Sequence, residues 1–401
     1  MLNIFFLGLI SFFTDLSTEM VYPLIPLYLV GTFGATHFLV GIIEGTAESL
    51  ASLLKVYSGY LTDRFQKMKL LAFSGYAAGL VYKLALLFAN SWIGILGARV
   101  IDRFGKGIRT APRDVLVTES ADKQNMGKAF GLHKALDMFG AAFGILLIYL
   151  IMKNSQGDYD YKRLFALSMI PAALGLVMFI FVKEKKREIT AEVRQEKTSR
   201  LSFRENFNKI DGQLKLYLLV VFIFTLGNSS KAFMILKASD AGFDEVNVIL
   251  LFFLYNAVAG LLSIPLGKLS DKIGRKKLLV PGYITFALCY ALFAFAETTD
   301  TMIAAFTLYG VYTAMITGVE RAFVAEISPA ELKGTMLGLH STVAGVALLP
   351  ASVIAGLLWN VFGAAIPFLF GAGLSLIAAG LLMAFMKGRK AGAAISSPNI
   401  A

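Results

Sequence analysis

Several charged residues fall at spacings that hold them on one side of a helix. Asp15 and Glu19 lie one turn apart, and Glu44, Glu48 and Lys55 come at rotations that share a face. Arg99, Arg103, Lys106, Arg109 and Arg113 occupy an arc of about 120°, with Asp102 on the same side. His133, Lys134 and Asp137 form a third group, and later in the chain the polar residues thin out to Lys231, Asn256, Glu320, Arg321 and His340. Carboxylates and cations in such sets can pair, pass protons or recognise a charged solute. They do not form a nucleophile with its base, and the chain has no P-loop, G-x-S-x-G or H-E-x-x-H motif. An enzyme is therefore not expected, nor is a cofactor. Three histidines and the single Cys289 are too scattered for a soft-metal cage, although carboxylates alone can hold a harder cation.

The surroundings make these charges costly. The chain is 57% hydrophobic and 16% charged, with a mean hydropathy of +0.68. Apolar stretches of the length needed to cross a bilayer recur along it, at 4–30, 38–61, 70–89, 92–112, 128–152, 164–182, 216–236, 246–267, 278–296, 302–325, 334–359 and 364–386. Twelve transmembrane helices in an all-α membrane protein are predicted, with no room for a separate soluble domain. The apolar start reads as the first span and not as a signal peptide. A charge inside a span costs about 2.5–3.5 kcal/mol on insertion scales and faces a cavity or a partner. The net charge of +11 does not point to nucleic acid. Most Lys and Arg residues sit in the even-numbered interspan loops and the tail, which is the positive-inside pattern. It places both termini in the cytoplasm and the chain in the inner membrane.

The chain also repeats itself. Gly59-Tyr60-Leu61-Thr62-Asp63-Arg64, after the second span, is echoed 208 residues later by Gly267-Lys268-Leu269-Ser270-Asp271-Lys272, and basic residues follow both, Arg275 among them. Gly131-Leu132-His133 returns as Gly338-Leu339-His340 at an offset of 207, as Glu119 does at Glu326. The duplication divides the chain into six-helix bundles at 1–182 and 216–386, with a charged linker at 183–215 and a cytoplasmic tail at 387–401. An even number of spans per half makes the repeats parallel.

The doubled G-x-x-x-D-[RK] loop resembles the signature of the major facilitator superfamily. Arg99 sits where that family carries an intramembrane arginine, and Gly127-Lys128-Ala129-Phe130-Gly131 falls where its R-G-x-A-x-G segment belongs. Two departures stand out. Asp102 and Arg103 replace the family's Gln and Gly, and Gly131-x8-Gly140-x3-Gly144 opens like the antiporter signature but continues into Ile145. The resemblance implies two pseudo-symmetric bundles that move a small solute by alternating access. It also implies that Gly59, Asp63, Arg64, Gly267, Asp271 and Arg275 latch the halves on the cytoplasmic side.

Within that frame Asp15, Glu19, Glu44 and Glu48 are the candidate proton carriers, since a buried carboxyl keeps a proton more readily than one in water. Arg99, Asp102, Arg103, Lys106, His133, Asp137, Lys231 and Asn256 are candidates for substrate recognition or charge relay. Arg109, Arg113 and Asp114 read as a solvated helix end or gate pairs. His133 and His340 fit either a proton relay or a duplicated structural position, and His37 reads as a loop residue. Pro112 is expected to distort the fourth span, Pro23 and Pro26 to bend the first, and Pro350 the eleventh. The expected function is proton-coupled secondary transport of a drug-like compound or organic anion, efflux slightly favoured, by a monomer in contact with lipid. A metal-cation exporter using the helix 1 and 2 carboxylates, and a non-transporting membrane sensor, are the alternatives.

Overall fold

The computed structural model describes residues 2–65, 67–121, 126–155, 160–184, 212–328 and 333–385, with the side chains of 55–56, 59–65, 126–131, 333–335 and 385 outside the description. Among the described residues, fifteen α-helices build twelve spans. In the first six-span set, α1 (Leu2–Val21) and α2 (Leu24–Phe33) together form span 1. They are followed by α3 (His37–Phe65), α4 (Met68–Phe88), α5 (Trp92–Ser120), α6 (Met126–Lys153) and α7 (Tyr161–Val177), the last extended by a 3-10 turn at Met178–Phe181. In the second set, α8 (Gly212–Gly227) and α9 (Ala232–Asp240) form span 7, and α10 (Glu245–Ile273) and α11 (Arg275–Phe295) are spans 8 and 9. Span 10 is split into α12 (Thr299–Ile316) and α13 (Val319–Ile327), before α14 (Lys333–Phe362) and α15 (Ala365–Phe385).

Among the described residues ten helical units are long and apolar enough to cross a membrane. The two spans outside that set, α3 and α5, are 29 residues each and long enough. Their charges set them apart, and they are the helices that carry most of the candidate site. The outer surface is apolar, with Leu261, Ile264, Phe88 and Phe295 largely exposed, as a lipid-facing belt requires. Helix pairing repeats between the sets: α3 with α5 as α10 with α12, α1 with α7 as α8 with α15, and α4 with α5 as α11 with α12. This is the pseudo-symmetry that the sequence repeat predicts.

Chain breaks mark where the predicted boundaries shift. Span 1 breaks at Tyr22-Pro23, where proline removes a helix donor. Span 7 runs from Gly212 to Asp240, starting inside the predicted linker and breaking at 228–231. There the Ser230 amide donates to Ser352 Oγ (3.2 Å), and Ser230 Oγ accepts from the Ala232 amide (3.3 Å). Most of 183–215, and all of the tail at 387–401, lie outside the described residues. Pro112 does not end α5, which continues through it. Proline leaves the Ile108 carbonyl without its helix donor, and Ser58 Oγ of α3 donates to that oxygen at 2.5 Å. Helix α14 likewise continues through Pro350.

The halves meet along α3 with α14 and α6 with α10. Glycine allows the first contact, since a Cβ on Gly41 or Gly45 would fall on the backbone of Ser352 or Leu349. At the end of the bundle that holds His37, its ring stacks on Trp359 with centroids 4.4 Å apart, and its Nε2 lies 3.4 Å from Asp240 Oδ2. His37 is thus the first residue of α3 and an inter-half contact, where a loop residue was expected. Tyr161 also hydrogen-bonds Glu245 across the halves at this end. At the opposite end, where α1 begins, Asn3 Nδ2 donates to Ser120 Oγ (2.5 Å) and to the Lys183 carbonyl (3.0 Å).

Gly140 and Gly144 bring α6 against α1, where a Cβ would strike the carbonyls of Phe12 and Leu16. Gly140→Ala should therefore destabilise the protein by about 1–3 kcal/mol. Gly97→Ala, with nothing within 4 Å of the added carbon, should stay within about 0.5 kcal/mol of wild type. Reversible unfolding of the purified protein in detergent measures both, and equal effects would contradict the packing role.

Candidate functional site

The centre of the site is a buried ion-pair network between α3 and α5. Glutamates four residues apart on α3 meet arginines four residues apart on α5, so two parallel rungs form from the helical repeat alone. Arg99 Nη2 donates to Glu44 Oε2 at 2.5 Å, and Arg103 Nη2 lies 2.8 Å from Glu48 Oε1. Asp102 sits between the rungs, its Oδ2 at 3.8 Å from Arg99 Nη1 and 3.6 Å from Arg103 Nε. Arg99 and Glu44 are each 1% exposed, which excludes water from their bond. The Tyr22 ring lies 5.4 Å from the Arg99 guanidinium carbon and 6.0 Å from that of Arg103, adding a cation–π face at the span 1 break. Glu44 Oε1, Arg99 Nε, Asp102 Oδ2 and Arg103 Nε are buried without a hydrogen-bond partner among the described residues.

The network reaches the second half through Ser230, whose Oγ, in the span 7 break, donates to Glu44 Oε2 at 3.5 Å. Beside it Lys231 Nζ donates to the Tyr255 hydroxyl (2.5 Å) and stands 5.0 Å from that ring's centroid. Tyr255 begins a run of rings through Tyr309 and Tyr312, with centroid spacings of 5.3 Å. Tyr22 also packs on Phe252 of α10 at 5.8 Å, so both breaks line the seam between the halves.

A second cluster joins α1 to α6. Asp15 and Asp137 are within hydrogen-bond reach of each other. Asp137 also accepts from Ser11 Oγ (2.8 Å) and Lys134 Nζ (2.5 Å). Two facing carboxyl groups can bond each other only when one of them carries a proton, because two carboxylates offer only acceptors. Glu19 lies in the field of Lys231, Lys106 and Arg103, between the two clusters. Lys106 in turn faces Arg103, Glu48, Asp15 and Asp102.

The remaining candidates lie apart. Asn256 donates to the Phe252 carbonyl of its own helix (2.9 Å). His133 is buried, with its Nε2 unpartnered among the described residues. Arg109 covers the Tyr76 ring at 4.4 Å, and Arg113 bonds its neighbour Asp114 at 2.8 Å. Arg275 bonds Glu326 (2.8 Å) and approaches Asp271 (3.4 Å), all within the second half. Gly267 has open space around it. The side chains of Gly59, Asp63 and Arg64 lie outside the described residues. Two residues escaped the sequence reading. Lys83, 1% exposed in α4 and bonded to the Gly79 carbonyl (3.2 Å), was legible as a lone lysine in an apolar span. Ser230 had no distinguishing signal in sequence.

Comparison with known proteins is consistent along the chain. The sequence model described as Major Facilitator Superfamily matches residues 7–238 and again 216–400. An uncharacterised MFS-type transporter of Methanocaldococcus jannaschii is 36% identical over 390 residues, covering 96% of this chain and 94% of the relative. Multidrug resistance protein MdtG of Yersinia enterocolitica is 25% identical over 307 residues, covering 74% and 72%. Among solved structures, the nucleoside transporter NupG superposes with a TM-score of 0.75 at 13% identity, covering 97% of this chain and all of that one.

Breaking one rung of the network strands its partner in a dry site. Arg99→Met should cost about 3–5 kcal/mol, while Arg99→Met with Glu44→Met should lose clearly less than the sum of the single changes. A double-mutant cycle of unfolding free energies in detergent checks this, and strict additivity would contradict the pairing.

Proposed function

Because this chain belongs to the major facilitator superfamily and is a secondary transporter, not an enzyme, we propose that it moves a small organic solute across the inner membrane in exchange for, or together with, protons. The observation that carries the coupling is the Asp15–Asp137 carboxyl pair, placed one helix turn from Glu19 and within the field of Lys106. A shared proton can leave such a pair when a neighbouring cation approaches, and return when it withdraws. Glu44 and Glu48 serve differently in this reading: each is held by an arginine, so they anchor α3 to α5 and pass changes at the pair to the seam through Ser230.

Solute recognition falls to the seam between the breaks of spans 1 and 7. Both arginines are engaged by carboxylates, which leaves Lys231, with Tyr255 and the neighbouring rings, as the group best placed to meet an anionic part of an organic molecule. The likeness to multidrug resistance protein MdtG supports a drug-like organic solute. Among the described residues no group of three or more His, Cys, Asp or Glu is placed to hold a metal ion, so no observation favours the metal-exporter reading.

The closed contacts around His37 support a state shut on the outer side, with the termini inside as the charge pattern predicts. Alternating access then requires those contacts to open as the opposite end closes. The Asp271–Arg275–Glu326 set would act within the second half by bracing the end of α13 against α11.

Reconstitution into liposomes with an imposed pH gradient tests the coupling, using organic anions first identified by thermal-shift screening. Flux of a transported anion should follow the gradient, and Asp15→Asn should remove that dependence while leaving solute exchange. Flux indifferent both to the gradient and to neutralisation of Asp15, Glu19, Glu44 and Glu48 would overturn it.

A further inference from the structure

The second half holds a largely buried carboxyl that is treated unlike those of the α3–α5 network. Glu320 lies on α13, two residues beyond the Thr317-Gly318 break in span 10, and its side chain is 17% exposed. The neighbouring acid of the same helix, Glu326, bonds Arg275 at 2.8 Å, and Glu44 and Glu48 each bond an arginine. Glu320 instead accepts from the Tyr283 hydroxyl of α11 at 2.9 Å through Oε1. Its Oε2 points to His340 Nε2 of α14 at 4.0 Å, a nitrogen that is buried and has no hydrogen-bond partner among the described residues.

The groups facing Glu320 are Tyr283 from α11, Tyr217 from α8, Tyr312 from α12, His340 from α14 and Arg321 on its own helix. All but Arg321 are neutral or can be so, and Arg321 is an exposed residue. An ionised carboxylate in this setting receives one phenol hydrogen bond, whereas a protonated one presents a donor toward the unpartnered imidazole nitrogen. A cavity of about 280 Å³ lined by Glu320, His340, Tyr312 and Arg321 extends to Asn228, in the span 7 break, and to Ser52 of α3. It therefore crosses from the second half to the first, one turn along α3 from Glu48.

We infer that Glu320, with His340 opposite it, is a second proton-binding site, located in the second half and opening on the cavity that reaches Ser52. The proton sits on Oε2 when the site is loaded and leaves toward the cavity, with His340 Nε2 as the nearest acceptor. Release puts a negative charge just beyond the span 10 break, answered among the described residues by the Tyr283 hydroxyl, by Arg321 and, while it holds the proton, by His340, so the short helix α13 shifts relative to α12. Its place in transport rests on the proton coupling proposed above; its existence as a titrating site does not. The repeat carries Arg113 at the equivalent position of the first half, 207 residues earlier, so the halves place opposite charges at matched points.

Infrared difference spectroscopy of the full-length protein in lipid tests the site without a solute or a gradient. In wild type, a carboxylic C=O band present at acid pH should disappear as the pH is raised, and Glu320→Gln should lose that band while Asp15→Asn keeps it. Tyr283→Phe removes the hydrogen bond to the carboxyl and should move the same band to higher frequency, which decides the matter even if Glu320→Gln folds poorly. A titrating band set unchanged in Glu320→Gln, or unmoved in Tyr283→Phe, would overturn the site. Either result leaves coupled flux standing, and gradient-independent flux would leave this band in place.

Discussion

Placing two guanidinium groups in the interior of a membrane protein is possible only if carboxylates meet them there, and the α3–α5 interface is organised around that constraint. Desolvating each charge costs several kcal/mol, and the attraction returns it only with close geometry. Arg99 with Glu44 and Arg103 with Glu48 reach that geometry because the paired residues on both helices are four apart and in register. Asp102 between them and the Tyr22 ring beside them leave the pairs little freedom. The same demand makes α3 and α5 too polar to rank with the other spans, and it ties their mutual register to one arrangement.

The seam between halves inherits its properties from this network. Glu44 is the member that also reaches across, to Ser230, in a break whose free amide is taken up by Ser352. Ser352 in turn lies where Gly41 and Gly45 let α3 and α14 touch. A movement of the first half against the second therefore bears on an ion pair, a helix break and a glycine contact together. Asp15 with Asp137, and Glu320, are acids held without an arginine bond, and they flank this seam from opposite halves. There a change of protonation disturbs fewer contacts than it would within the rungs.

Much of this was legible in the residues. The repeated Gly59/Asp63 and Gly267/Asp271 loops carry the two-half architecture, and the repeated helix pairing agrees with them. That Arg99 and Arg103 would be paired followed from the cost of burying them, but which carboxylates take them depends on the register of α3 against α5, which no local pattern encodes. How Pro112 is accommodated was hidden for a related reason. Its local effect is a lost donor, and the remedy, Ser58 on another helix, is a long-range contact. The break at 228–231 falls within a weakly polar Asn-Ser-Ser-Lys run that a hydropathy window averages away. His37 looked like a loop residue because its partners, Asp240 and Trp359, lie in the other half.

In the transport cycle proposed above, the contact of Glu44 with Ser230 ties the α3 network to the seam whose outer end is closed around His37. Spin labels on Thr36 and Asn247, both exposed at that end, report the distance directly by pulsed dipolar spectroscopy in lipid nanodiscs, with Cys289 replaced by alanine. Glu44→Gln should add a longer-distance population, as the link to Ser230 weakens and that end opens. A distance distribution that stays the same in Glu44→Gln would contradict it.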